Sequence, residues 1–244
     1  MTGSPVTWAE HDAVLFDLDG VLTPTAEVHR RAWAEMFDAF LASWHGEGDA
    51  GPWSEQDYYD HVDGKPRYDG VRDFLTSRGI ALPEGDPTDA PEAVTVCGLG
   101  NRKNDAFNAV LDRDGVTAYP GSVALLDVLR DLGTPLAVVS SSANAPAVLE
   151  AAGLADRFVT VVDGRVAGEL GLPGKPAPDT FVHAAHECGT TPGRSVVVED
   201  AVSGVRAGAS GDFALVIGVD RGAGAAVLTA AGADVVVDDL GELA

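Results

Sequence analysis

Cysteine is scarce in this chain: Cys97 and Cys188 are the only two among 244 residues. They are too few for a disulfide framework and fit no metal-ligand spacing, so both read as ordinary reduced thiols. Cations are also few, with 16 Lys and Arg against 38 Asp and Glu and a formal charge of -22. That balance excludes the basic footprint by which proteins hold nucleic acid or anionic membranes. It also sets a condition on any anionic substrate, whose charge must be met by a few cations placed locally. No apolar run approaches the roughly 18 residues of a membrane span. The opening segment MTGSPVTWAEHDA has neither the basic region nor the apolar stretch of a signal peptide. Internal repeats and long low-complexity tracts are missing too. The expectation is a cytoplasmic monomer that binds no nucleic acid and no membrane, with 45% hydrophobic residues to build one core and a smaller attached domain.

What the chain does have is short apolar runs. AVLF at 13–16, LAVV at 136–139, FVTVV at 158–162, VVV at 196–198, ALVIGV at 214–219 and DVVV at 234–237 are continuous rather than alternating. Such runs suit strands buried on both faces, the pattern of a parallel sheet. Helical stretches separate them, at 122–132, 145–152, 178–187, 202–209 and 223–230. The alternation predicts an α/β fold: a doubly wound parallel-sheet (Rossmann-like) core. Residues 26–104 differ. A helical period runs through Val28, Ala32, Met36 and Phe40, no strand-like run appears, and Gly/Pro/Asp clusters at 45–52 and 83–91 break the segment into short helices. It reads as an inserted α-helical cap domain, with 1–25 and 105–244 forming the catalytic core.

The acidic pair Asp17 and Asp19 stands where the first strand ends, and Gly20 permits a tight turn after it. In open α/β sheets, ligands gather at the carboxyl ends of the strands. Two carboxylates there can share a metal ion, or divide into nucleophile and general acid/base. Other strand ends are polar as well: LAVV runs into Ser140, Ser141 and Ser142, and VVV runs into Glu199 and Asp200. Between them, GKPAPD presents Lys175 at a helix start. Carboxylates from two strand ends suit Mg2+, a hard ion that prefers oxygen, while a hydroxyl and an ammonium can hold phosphoryl oxygens.

The order FDLDGV, VVSSS, GKPAPD, VVVEDAVSGVRAG resembles the four motifs of the haloacid dehalogenase superfamily. The resemblance implies that Asp17 is a nucleophile forming an aspartyl-phosphate and Asp19 the general acid/base. It further implies that Ser140 and Lys175 bind the transferring phosphoryl group, and that Asp17, Asp19, Glu199 and Asp200 make a Mg2+ site. The chain is similar in particular to the β-phosphoglucomutases. TAEVHRRAW at 25–33 then implies substrate contacts from Thr25, His29 and Trp33, and GKPRYDG at 64–70 implies them from Gly64 and Arg67. NRKND adds Lys103, and SSSAN adds Ser142 and Asn144. By this resemblance the substrate is a sugar phosphate, with β-glucose 1-phosphate and glucose 6-phosphate interconverted through a 1,6-bisphosphate. A Mg-dependent sugar-phosphate phosphatase and a catalytically silent sugar-phosphate sensor are the alternatives. Pro24, Ala143 and the whole of 44–62 depart from the family's pattern.

Overall fold

A computed structural model describes residues 6–244. They form two compact units: the chain up to Thr25 with Val116–Ala244, and Ala26–Gly115 between them. The larger unit is built on one sheet of six parallel strands: β1 (Ala13–Phe16), β2 (Leu136–Val139), β3 (Thr160–Val162), β4 (Ser195–Glu199), β5 (Leu215–Val219) and β6 (Val235–Val237). Their spatial order is β3-β2-β1-β4-β5-β6. The chain therefore winds outward from β1 in one direction, returns, and winds outward again from β4. The reversal between β1 and β4 is where an open α/β sheet leaves a crevice at its carboxyl edge. Every residue of β1 is fully buried, and a buried Leu or Phe of this kind is stabilised by roughly 1.5–3 kcal/mol. The expected strand at 158–162 is trimmed to Thr160–Val162, because it lies at the sheet's edge with Val159 63% exposed.

The smaller unit is helical among the described residues, with α1 (Thr25–Ser43), α2 (Glu55–Asp57), a π-helical turn (Tyr58–Val62), α3 (Arg67–Ser77) and α4 (Val96–Asp114). Its core joins Met36, Phe37, Phe40 and Leu41 of α1 to Val71, Phe74 and Leu75 of α3 and Leu99 of α4. Two expectations need correcting. The glycine and proline clusters do not leave only short helices, since α1 and α4 each run 19 residues. The expected boundary at 104/105 falls inside α4, and the division comes at Gly115, which ends that helix with φ +64°. The reason is the buried stripe Leu99, Lys103, Phe107, whose i, i+4 spacing keeps one face of α4 committed to the helical unit past residue 104.

The segment 44–62, which resembles nothing closely in sequence, is anchored by stacking and by two arginines, Arg30 reaching Glu55 at 2.7 Å and Arg78 making several contacts. Trp53 stacks on Phe37 at 4.8 Å and tilts against Phe74 at 4.9 Å. Arg78 lies over Phe74 and donates to Gly51 O, Pro52 O, Asp49 and, at 2.8 Å, Asp57 Oδ2. Burial would push Asp57 up, but hydrogen bonds from Ser54 and then Arg78 hold its carboxyl below the usual range. A depressed carboxyl contributes stability above its unfolded pKa, and that contribution is lost as pH falls through the folded value. Arg78→Ala takes the guanidinium from Asp57, which keeps Ser54, and leaves the Gly51 and Pro52 carbonyls without this donor; it is expected to cost about 1–3 kcal/mol. A urea melt reads this directly; an unmoved midpoint would show that the stack and the contacts to α1 hold the segment without Arg78.

The sheet is flanked by α5 (Pro120–Leu132), α6 (Ala145–Ala151), α7 (Gly164–Leu170), α8 (Asp179–Glu187), α9 (Val202–Ser210) and α10 (Ala225–Ala231). Phe181 and Ala184 of α8 pack with Leu15, Ala137 and Val197 of the sheet. Val205 of α9 and Leu228 of α10 close around Val216.

Candidate active site

The carboxyl edge at β1 and β4 collects most of the core residues singled out in the sequence. Asp17 continues the β1 ladder, its N–H donating to Val198 O at 2.9 Å, and its side chain is buried. Lys175 is buried as well, and its Nζ donates to Asp17 Oδ1 at 2.5 Å, Glu199 Oε1 at 2.7 Å and Val139 O at 3.0 Å. Burial alone would push this ammonium down; the carboxylates of Asp17 and Glu199 reverse that and raise it above its ordinary value. Asp17 goes up well above the carboxylate range, because burial and then the Glu199 and Asp19 charges outweigh the pull of Lys175. One ammonium facing several carboxylates leaves Asp17 short of positive charge.

Asp19 sits on the turn that follows. Its Oδ1 accepts from Thr25 Oγ1 at 2.5 Å and its Oδ2 from Ser140 Oγ at 3.4 Å. Thr23, fully buried, places its hydroxyl 2.7 Å from that of Thr25. The turn closes through Leu22 N to Leu18 O and Gly20 N to Thr23 O. Gly20 holds φ +89°, and a Cβ there would lie 2.0 Å from Asp200 Oδ2. Glycine is thus required twice, for its backbone angle and for letting Asp200 close on the turn. Ser140 Oγ accepts from Ser142 N at 3.1 Å, and Ser142 Oγ from Asn144 N at 3.2 Å, so the SSSAN loop is a chain of serine turns at the end of β2.

The donor set fits a divalent cation. Among the described residues no group of three or more His, Cys, Asp and Glu side chains is gathered closely enough to ligate an ion unaided. Mg2+ is commonly held by one or two protein carboxylates with waters or substrate oxygens for the rest, so its binding does not require such a group. Asp200 lies against Gly20, on the turn that follows Asp17. Glu199 Oε1 accepts from Lys175 Nζ and its Oε2 from Ala201 N at 2.7 Å, which ties this carboxylate to the lysine. A Cβ on Gly204 would fall 1.7 Å from Glu199 Oε1, so the glycine in VSGV is what lets Glu199 turn inward.

The helical unit gathers the other group. Lys103 is buried on α4 between the rings of Trp33 (5.0 Å) and Phe107 (5.3 Å), and its Nζ hydrogen-bonds His29 Nδ1. His29 stacks on Phe107 at 4.0 Å. Gly64, at φ +67°, turns the chain ahead of α3, whose first residue is Arg67. Arg67 lies over the Tyr68 ring at 5.1 Å and reaches Asn101 Oδ1 at 3.4 Å. Asn101 and Lys103 are two positions apart on α4, so Arg67 and Lys103 meet that helix on different faces. His29, Trp33 and Lys103 are one cluster, and Arg67 belongs to another. Thr23, Gly204 and Phe181, which lies under Lys175 Nζ at 5.0 Å, are site residues that the sequence reading did not single out.

Residues 11–212 match the model of the haloacid dehalogenase-like hydrolases. The chain is 51% identical over 238 residues to a β-phosphoglucomutase of Mycobacterium bovis, covering 95% of this chain and 90% of that one. In structure it is similar to CbbY of Rhodobacter sphaeroides, solved with phosphate (TM-score 0.71, 26% identity, 96% of each chain); a variant of that protein was solved with xylulose-(1,5)bisphosphate. It shares the fold of β-phosphoglucomutase from Clostridium difficile (TM-score 0.76, 23% identity, covering 96% of this chain and 93% of that one).

Proposed function

Because the chain belongs to the haloacid dehalogenase-like hydrolase family, we propose that it is a phosphomutase interconverting β-glucose 1-phosphate and glucose 6-phosphate. The observation that carries this reading is the identity to a β-phosphoglucomutase, which extends over 95% of the chain and so includes the helical unit as well as the motifs. Asp17 attacks phosphorus through a carboxylate oxygen: an O–P bond forms, the bond to the sugar oxygen breaks, and Asp19 supplies the proton that this oxygen takes up. In the other half the proton returns to Asp19 as the free hydroxyl of a hexose monophosphate attacks the aspartyl-phosphate, forming the 1,6-bisphosphate that turns around and is the donor to Asp17. Lys175 and Ser140 hold phosphoryl oxygens, and Thr25 orients Asp19. Asp17 and Asp200, with the Asp19 carbonyl, would hold Mg2+, which offsets charge on the phosphoryl group and on Asp17. Glu199 keeps Lys175 protonated and in place. Thr25 thus acts through Asp19, and Ser142 and Asn144 contact the substrate on the α/β unit. His29, Trp33, Gly64 and Lys103 do so on the helical unit.

The test is incubation with β-glucose 1-phosphate, Mg2+ and a trace of the 1,6-bisphosphate. Glucose 6-phosphate is expected, and none is expected in excess chelator. Inorganic phosphate as the main product would establish the second reading, a phosphatase in which water discharges Asp17. That reading is favoured by the likeness to CbbY, solved with phosphate and with a sugar bisphosphate.

A mutase must also grip the phosphate that is not reacting, and we assign that role to Arg67. Its guanidinium offers bidentate, charge-assisted bonds, so Arg67→Ala is expected to cost about 2–3 kcal/mol, roughly a hundredfold in kcat/KM, on hexose phosphates and the bisphosphate. Acetyl phosphate, with one phosphoryl group, should be spared. Equal loss with both substrates would make Arg67 a folding residue of α3 instead.

A further inference from the structure

The turn 18–23 is held from outside at three successive carbonyls. Leu22 O accepts from Tyr119 N at 2.9 Å, Val21 O from Ser122 Oγ at 2.6 Å, and Gly20 O from Arg221 Nε at 2.8 Å. The first two donors are neutral and come from the start of α5. The third is a charged side chain from the segment after β5, distant from Gly20 in sequence by 201 positions. Arg221 is itself fixed on other sides. Its Nη1 donates to Asp238 O at 2.9 Å, its guanidinium lies 4.0 Å from the centre of the Tyr119 ring, and Asp239 Oδ2 is 4.0 Å from Nη2. Gly20 is the residue against which the Asp200 carboxylate closes. Burial raises the Tyr119 phenol, Arg221 opposes this, and Asp200 and Asp239 add to it.

We propose that Arg221 is a positioning residue, holding the Gly20 carbonyl so that the Asp17–Gly20 main chain and Asp200 converge on the divalent cation. This rests on the cation site of the functional reading above. Without Arg221 the buried Gly20 carbonyl loses its donor, and the turn relaxes at the point where Asp200 depends on it. Positioning groups one layer behind metal ligands commonly set affinity by roughly 10–100-fold. The sign of the effect separates positioning from charge. A guanidinium near the site repels a cation, so removing its charge alone would tighten metal binding. Removing a positioning group weakens it.

Mg2+ titrated into the full chain and followed by calorimetry reads this without turnover. Arg221→Gln is expected to weaken Mg2+ binding roughly tenfold, and a urea melt in chelator establishes that the variant is folded where binding is read. Arg221→Lys, which keeps the charge and can reach one carbonyl at a time, should fall between. Unchanged or tighter binding in folded Arg221→Gln would overturn the inference. If that variant does not fold, Tyr119→Leu removes the stacking face and keeps the main-chain bond to Leu22; it is expected to weaken Mg2+ in the same direction, and unchanged binding there overturns the inference equally. Asp200→Asn separates the two levels of argument. Its loss of binding with Arg221→Gln unaffected defeats only the role of Arg221, whereas full binding in Asp200→Asn defeats the cation site and the inference with it.

Discussion

Asp17→Asn is expected to abolish turnover of every phosphoryl donor, by at least roughly 10⁴-fold, while leaving the protein folded and as stable as before or more so. The chemical half follows because an amide oxygen cannot serve as the nucleophile of an aspartyl-phosphate, and loss of a nucleophile is among the costliest single changes in an enzyme. The stability half follows from the crowding around it. Asp17 shares one ammonium with Glu199 and lies near Asp19, and its folded pKa stands well above the ordinary value. An acid raised on folding is destabilising once pH exceeds both of its pKa values. The neutral amide removes that cost, and Lys175 keeps Glu199 Oε1 and Val139 O as partners. The measurements are turnover of acetyl phosphate and β-glucose 1-phosphate, a mass shift of one phosphoryl group on the protein, and a urea melt in chelator. Activity above a few per cent in a folded variant would end the nucleophile assignment. A large fall in stability would mean that Lys175 needs both carboxylates.

The sheet was legible because its strands are buried on both faces, so apolar runs such as AVLF and LAVV mark them without any pattern of alternation. The same reasoning overran at 158–159. Phe158 is apolar because it meets Phe16 edge-on at 6.5 Å, a packing contact and not a strand position. The end of the helical unit was misplaced because a helix carries no mark at a domain boundary; only Gly115 does, and its positive φ is invisible in sequence.

Within the site, Asp17, Asp19 and Ser140 stand out in the sequence because they end or follow apolar runs, and Lys175 because GKPAPD sets it at a helix start. The hydrogen bond from Lys175 to Glu199 does not stand out. An acidic residue beside Asp200 reads equally as metal ligand or lysine partner, and the choice depends on a side-chain direction that Gly204 makes possible. Arg78 and Arg221 were hidden for a related reason. Each is tied mainly to carbonyls and carboxylates far along the chain, and a basic residue in an acidic chain looks like surface charge until its partners are known.

Asp19→Asn is expected to lower kcat for the hexose phosphates by roughly 10²–10⁴-fold with little change in KM, the range for losing a general acid/base. The geometry permits a clean test, since the Asn carbonyl can still accept from Thr25 Oγ1 as Asp19 Oδ1 does. The turn through Gly20 and Thr23 is made of main-chain bonds that the substitution does not touch. What disappears is the exchangeable proton. The loss should therefore track how much each leaving or attacking oxygen needs one. Acetate leaves without protonation, so phosphorylation of Asp17 by acetyl phosphate should be damaged least. Transfer onward to a sugar hydroxyl, which must lose a proton as it attacks, should be damaged most. The variant would then accumulate as phosphoenzyme when given acetyl phosphate and Mg2+, visible as a stable mass shift of one phosphoryl group. Equal loss in both steps would point to a distorted turn rather than a missing proton. Normal turnover across the pH range would leave Asp19 as a turn residue that lends the site only its carbonyl, and the proton would have to come from another group on the substrate or the protein.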